Sequence, residues 1–328
     1  MQLETSYRLR LALKKHIREF FHQHDYLEVE TPIVVQTPGT EVYLEYFKTS
    51  WKDYQNKHHN LWLRSSPEIH LKKVLSQGLP RIFEFALCFR NKGETSSWHH
   101  PEFTMLEWYQ TNISFHDFIT MTEELLQYTL KSMKKEFPYL ITLNLSQKIS
   151  RMSLEQAFRE FAGIDLIDQD TDLAKKARVH GIVSVLEDDD FETAFFKILL
   201  EKIEPALKKL QAVVLYDYPA SQAALAKVEG GVAKRFEFYI EGVELCNAFF
   251  EELNMSENKK RIITANHKRK TLGLETPGED DTFYTALEKE LDPCCGNALG
   301  FERLLALLLG EKNLDNTIPF RKQLPFYK

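Results

Sequence analysis

Residues 81 to 110 read RIFEFALCFRNKGETSSWHHPEFTMLEWYQ, and the patterning of this stretch decides the fold. From Arg81 to Arg90 the odd positions Phe83, Phe85, Leu87 and Phe89 are apolar, while the even ones run Ile82, Glu84, Ala86, Cys88 and Arg90. A period of two is that of a strand with two different faces, and here the more polar face ends in Arg90. The polar loop NKGETSSWHH follows. PEFTMLEWYQ, rich in aromatic and β-prone residues, then reads as the partner strand, so the stretch is a long-looped hairpin.

Working outward, residues 6 to 24 carry Leu9, Leu13, Ile17, Phe20 and Phe21 at helical spacing and predict an amphipathic helix ending near His24 and Asp25. In YLEVETPIVVQTPGTE, residues 26 to 41, two Thr-Pro steps among β-branched residues predict an edge strand that leads into a loop. Helical spacing returns from about 114 to 136 and from 153 to 210, the second stretch being read as an inserted helical subdomain at about 150–210. Its acidic run at 187 to 190 reads as a solvated loop or a helix start. Strands resume at AVVLYDYP and RFEFYIEGVELCNAFF, with Glu241-Gly242 as the turn. The last elements are the glycine-spaced CCGNALG and an apolar helix closed by Gly310.

The chain has 328 residues, 43% hydrophobic and 12% aromatic, enough to bury a large core without disulfides or metals. Four cysteines without a C-x-x-C spacing read as reduced thiols, and His99-His100 lacks further ligands at zinc spacing. Neither a signal peptide nor a span of about 20 apolar residues is visible, so a cytoplasmic location without membrane insertion is expected. A formal charge of −6 argues against a broad nucleic-acid surface, leaving basic runs such as Lys268 to Lys270 as local patches.

Three separated segments carry a resemblance. YLEVETPIVVQTPGTE with its preceding helix, FRN with HPEFTMLEWY (Phe89 to Tyr109), and GNALGFERLLAL (Gly296 to Leu307) resemble motifs 1, 2 and 3 of class II aminoacyl-tRNA synthetases, in that order. LRSSPEIHLKKVL, PEFTMLEWY and RFEFYIEGVEL-x-N are similar to lysyl-tRNA synthetases in particular. Motif 1 begins at the first residues, with no anticodon-binding domain expected, and ALG stands in motif 3 where a GIG is usual. That combination resembles the elongation factor P (R)-β-lysine ligase family. The resemblance implies an α+β fold, a single class II synthetase-like catalytic domain over 1–328 with an antiparallel sheet flanked by helices.

It also implies a reaction. ATP and Mg²⁺ activate (R)-β-lysine or lysine as an aminoacyl-adenylate, which passes to elongation factor P as protein acceptor; tRNA is not expected, and motif 1 is expected to form a homodimer. Joining two anions builds charge on phosphoryl oxygens, which suits fixed guanidinium groups. Arg90 is implied for the α-phosphate and Arg303 for the γ-phosphate and adenine face, both catalytic. The implied nucleotide set adds Lys92, Glu94, His100, Glu244, Leu245 and Gly300, and the amino-acid set comprises Ser66, Glu68, Glu107, Tyr109, Glu251 and Ala298. The methyl of Ala298 is expected to help discriminate the lysine isomers. Glu244 and Glu251 are the expected Mg²⁺ carboxylates. Strict strand alternation would place Glu252 on the face of Glu244, ungapped spacing selects Glu251, and the choice stays open at this point.

Singly, these features have ordinary readings: Arg90 as a strand-end surface arginine, Glu68 or Glu107 as a salt-bridged acid, the glycines as turns. Their conjunction favours the enzyme over two alternatives, a truncated lysyl-tRNA synthetase paralogue with another acceptor and a silent amino-acid sensor.

Overall fold

The computed structural model describes residues 2–92, 96–145, 149–289 and 291–321. The chain divides into two compact units, Met1–Leu143 with Leu253–Lys328, and Asn144–Glu252.

In the first unit the strands Leu27–Glu28, Arg81–Phe89, Glu102–Thr111 and Cys294–Gly300 are neighbours in that order. The hairpin read from the sequence is present, with Glu84 opposite Glu107 and Phe83 opposite Trp108. Cys294–Gly300 adds on antiparallel, with Ala298 opposite Glu107 and Gly296 opposite Tyr109. Only Leu27–Glu28 joins parallel, beside Ile82 and Phe83. Cross-strand partners share a face. Phe83 and Trp108 therefore face one way, and helix Leu3–Gln23 covers them: its Phe21 ring stacks on Phe83 at 4.5 Å and lies 5.6 Å from Trp108. Helix Phe301–Leu309 packs Phe301 5.9 Å from Phe85. Full burial of such side chains contributes roughly 1.5–3 kcal/mol each, so this face is the first unit's core.

The opposite face carries Glu84, Ala86, Cys88, Glu107 and Tyr109, and all five are buried. The more polar face is thus not solvated; acids are held inside it. Arg64 reaches Glu84 at 2.8 Å with both side chains 3% exposed, and Thr31 adds a 2.7 Å hydrogen bond to the same carboxylate. The Thr-Pro segment, read as an extended sheet edge or strand end, supplies two short strands at sheet edges. Leu27–Glu28 lies in the main sheet, while Val34–Val35 pairs with His58–Leu63, which also pairs with Lys48–Lys52. Pro32 falls between the two pieces, as a residue with no N–H to give to a ladder must.

In the second unit the strands Ser150–Ser153, Ala212–Pro219, Val232–Ile240 and Val243–Phe250 are neighbours in that order, the first pair parallel and the others antiparallel. Between Ser153 and Ala212 the helical stretch is broken into short pieces. Ser153 and Gln156 form a capping box, Asp190 caps Phe191–Ile198, and Gly163 closes a π turn. The acidic run is therefore a helix start, and Asp189 holds Lys197 at 2.7 Å. Leu154, Phe158, Phe195 and Ile198 pack on Val213 and Leu215 of the sheet. Glu241 and Gly242 both adopt positive φ, +50° and +77°, the geometry of a tight hairpin turn.

All four cysteines are free and buried. Among the described residues no helix is long and apolar enough to cross a membrane.

Candidate active site

In the first unit the buried polar face gathers Glu107, Tyr109 and Ala298, with Glu68 and Ser66 beside them. Glu107 is 2% exposed; the Tyr109 hydroxyl donates to one of its oxygens at 2.8 Å, and the other has no hydrogen-bond partner among the described residues. Burial, then the like charge of Glu68, pushes the Glu107 carboxyl well above the usual carboxylate range; Tyr109 and Lys72 oppose the shift only in part. Glu68 opens helix Glu68–Leu75 and pairs with the deeply buried Lys72 at 2.8 Å. Its backbone N–H donates to the Ser66 hydroxyl at 3.4 Å. Ala298 sits across the ladder from Glu107, half-buried, with its methyl on the acid face. Behind them burial pushes the Cys88 thiol far up, so it is a neutral filler.

The phosphate candidates lie at the strand ends. Arg90 follows the strand Arg81–Phe89, held by its backbone N–H to Pro101 and by its guanidinium 5.2 Å over the Phe103 ring. Its Nε is buried without a partner among the described residues, an unusual cost for a charged donor. Arg303 stands in the first turn of helix Phe301–Leu309 and donates to His99 Nε2 at 2.9 Å. A guanidinium only donates, so that nitrogen is the acceptor and His99 is neutral in this contact. Gly300 keeps the approach clear: a Cβ there would stand 3.3 Å from the Arg303 Cδ. Buried Glu302 ties the same helix down, accepting from the Thr104 N–H at 2.9 Å and from Arg10 at 3.0 Å.

Other expected contacts are placed differently. Lys92 is largely exposed and pairs with Glu45 at 2.7 Å. His100 turns back on its own strand, with Nδ1 2.5 Å from the Glu102 carbonyl, and burial lowers its pKa. Glu94 lies outside the described residues.

In the second unit the register decides which acid shares a face with Glu244. Tyr239 lies opposite Glu244 but Phe238 lies opposite Cys246, so Leu245 is an extra residue, a β-bulge. Each bulge shifts side-chain alternation by one. Glu244 therefore shares a face with Asn247, Phe249 and Glu251, not with Glu252, and Leu245 is buried in the bulge. Glu251 is 3% exposed and follows the end of the strand. A further acid near Glu244 is Glu237. It stands two residues from Tyr239 on the adjacent strand and the same face, a diagonal neighbour at about 7–8 Å between Cα atoms.

Glu237 is held by its neighbours. Its two oxygens accept from the Tyr239 hydroxyl at 2.6 Å and from Arg235, whose Nε donates to Asn247 at 3.0 Å and whose guanidinium lies 4.4 Å over Tyr218. Burial, then Glu237, pushes the phenols of Tyr218 and Tyr239 up, so both stay protonated. Among the described residues no three His, Cys, Asp or Glu form a metal cage. Two carboxylates suit Mg²⁺, which takes its other ligands from phosphates and water. Arg64, Lys72, Glu84, His99, Arg235, Glu237 and Asn247 were not singled out from the sequence. Arg235, Glu237 and Asn247 do lie inside the quoted RFEFYIEGVEL-x-N, and only their sheet register shows which face they take.

Arg90 at the end of an antiparallel hairpin strand and Arg303 in the first turn of helix Phe301–Leu309, on a sheet that carries buried acids, have the arrangement of a class II synthetase core. Residues 2–324 match the family model of tRNA synthetases class II (D, K and N). Among related proteins, the elongation factor P (R)-β-lysine ligase of Avibacterium paragallinarum is 36% identical over 95% of this chain and 93% of its own. Those of Vibrio cholerae and Haemophilus influenzae (strain Rd) are 35% and 33% identical, over 95% and 93% of this chain and 93% and 91% of their own. The chain belongs to this class II family, in the group of the elongation factor P (R)-β-lysine ligases.

The state of Glu107 gives a prediction. Its carboxyl holds a proton in the folded chain where the unfolded chain, near pH 4.3, has released it. Stability is therefore full below that pH and is lost as pH rises toward the raised folded value. Glu107→Gln keeps the shape without the charge. Its melting temperature should match the parent's near pH 4 and exceed it by a margin that widens from pH 5 to 8; a constant margin in thermal unfolding would refute the assignment.

Proposed function

We propose that the chain is an ATP-dependent ligase that activates (R)-β-lysine as an acyl-adenylate and transfers the acyl group to the ε-amine of a lysine on elongation factor P. The single observation that carries the amino-acid side is Glu107, a buried carboxylate with one uncommitted oxygen and an acid neighbour, Glu68. An ammonium group of the substrate supplies the charge this site lacks and returns Glu107 to its ionised form.

In the first half-reaction an oxygen of the amino-acid carboxylate bonds to the α-phosphorus of ATP, and the bond from that phosphorus to the pyrophosphate oxygen breaks. Arg90 donates to the α-phosphate through the Nε left without a partner; Phe103 beneath it fixes the guanidinium plane. Arg303 leaves His99 to take the terminal phosphate. Mg²⁺, held by Glu237 and Glu244, would neutralise phosphate charge as it builds. Tyr239 and Arg235 orient Glu237 for that task. In the second half the neutral acceptor amine bonds to the acyl carbon, the bond from that carbon to the oxygen bridging it to phosphorus breaks, AMP leaves with that oxygen, and the amine proton goes to solvent.

Exposed Leu3, Tyr7 and Leu11, at four-residue spacing on helix Leu3–Gln23, favour a homodimer through that helix. In sedimentation, wild type should run as a dimer and Leu11→Glu as a monomer; a wild-type monomer at micromolar concentration would refute it.

Arg90→Ala and Arg303→Ala should each lower amino-acid-dependent ATP–pyrophosphate exchange on the order of 10²–10³-fold. Near-normal exchange in both would remove the adenylation reading. With wild type, mass spectrometry of elongation factor P and of lysine tRNA after incubation with ATP and either lysine isomer names the acceptor, and charging of tRNA alone would overturn the protein acceptor.

Glu237→Gln and Glu244→Gln should each raise the Mg²⁺ concentration for half-maximal exchange about tenfold or more, and weaken Mn²⁺ binding read by electron paramagnetic resonance, while Glu252→Gln changes neither. Equal effects from Glu252→Gln would show that the bulge does not set the metal face.

A further inference from the structure

Arg269, near the end of helix Met255–Thr271, is the least explained charge in the first unit. It is 2% exposed, and among the described residues no carboxylate lies within ion-pair distance of it. Backbone carbonyls hold it instead. Nε donates to Glu275 at 2.9 Å, and Nη1 donates to Glu41 and Val42 at 2.9 Å each and to Leu44. Its guanidinium lies 4.6 Å from the centre of the Tyr46 ring, and the Tyr46 hydroxyl returns to the Glu41 carbonyl at 3.1 Å. Burying a guanidinium without a counter-ion is costly, and here the donors go almost wholly to one loop.

That loop joins two parts of the site. At its start the Pro38 carbonyl accepts from both the N–H and the hydroxyl of Ser65, at 3.0 and 2.9 Å, next to Ser66 and Glu68. Gly39 is pressed so close that a Cβ there would stand 2.5 Å from the Ser65 hydroxyl. At its end Glu45 pairs with Asn91, whose N–H donates to the Glu45 carbonyl at 2.9 Å, directly after Arg90. Between these anchorages, among the described residues, Arg269 alone reaches three of the loop's carbonyls with its side chain.

We propose that Arg269 is a positioning residue that fixes the 37–46 loop as the frame of the amino-acid site, setting affinity for the amino acid without touching it. The proposal rests on the adenylate-forming reading. Lysine at this position offers a point charge with three donors and no plane, so it cannot serve Glu275, the loop carbonyls and the Tyr46 ring together. Loosening falls first on Ser65 to Glu68, because at that end the described residues give the loop only the Pro38 bonds to Ser65 and the Thr37 hydroxyl to the Gly278 carbonyl at 2.8 Å, whereas the Arg90 end keeps its own pairing to Pro101 and its contact with Phe103.

The test is ATP–pyrophosphate exchange by the full-length chain with (R)-β-lysine or lysine varied, then ATP varied, in wild type, Arg269→Lys and Arg269→Gln, with thermal unfolding alongside. The expected result is an amino-acid KM raised tenfold or more in both variants, an ATP KM changed less than twofold, and kcat largely recovered at saturating amino acid. Equal rises in both KM values, or a lower melting temperature with unchanged KM values, would make Arg269 a structural prop and overturn the proposal. If Arg269→Gln fails to fold, Arg269→Lys alone decides between these outcomes. Absence of exchange in wild type would instead refute the adenylate-forming reading, a failure visible before any variant is measured.

Discussion

Burying carboxylates on the inner face of a sheet is the constraint on which the first unit depends. A carboxylate taken from water must find a cation, find donors, or give up its charge. Glu84 takes the first course, with Arg64 and Thr31 closing on it at hydrogen-bond distance. Glu107, directly across the ladder, takes the third: it has one tyrosine hydroxyl, an acid for a neighbour, and a raised pKa. Two chemically equal residues on one face thus have opposite fates, decided by whether an arginine stands beside them. The paired acid holds the fold; the other is destabilising until a cation arrives, as expected of groups kept for binding at a cost in stability.

The same logic orders the cations. Arg64 is neutralised by an acid, Arg269 is satisfied by carbonyls, and Arg90 keeps a buried donor without a partner. Arginines that hold structure are saturated, and the one that is not stands at the end of a strand beside a polar loop. Arg303 is an intermediate case, resting on a neutral imidazole that a stronger acceptor displaces at small cost. Saturation separates scaffold from site more sharply here than burial does, since Arg64 and Arg269 are both more buried than Arg90.

In the second unit one residue changes the chemistry of a whole strand. Because side chains alternate with a period of two, a single inserted residue sends everything beyond it to the other face. The bulge at Leu245 moves Glu251 onto the face of Glu244 and turns Glu252 away. The same ladder puts Glu237 within diagonal reach of Glu244. Position on a neighbouring strand, not proximity in sequence, decides which acids cooperate.

By itself the sequence determined the elements whose information is local. The alternation in RIFEFALCFR, the leucine and phenylalanine spacing of the first helix, the capping residues at Ser153 and Asp190 and the Glu241-Gly242 turn each specify their own backbone, so the hairpin, the helices and the position of Arg90 at a strand end were legible. The ordered motifs likewise carried the family. What only the tertiary structure decided is everything that depends on partners distant in the chain: that the polar face is buried, that Arg64 neutralises Glu84 and leaves Glu107 alone, that Glu251 rather than Glu252 shares the face of Glu244, and that Arg269 holds a loop more than 200 residues before it. Periodicity reports which residues share a face. It carries no record of a bulge, of which face is covered, or of which charge is paired, because those follow from the register and packing of segments that meet only once the chain has folded.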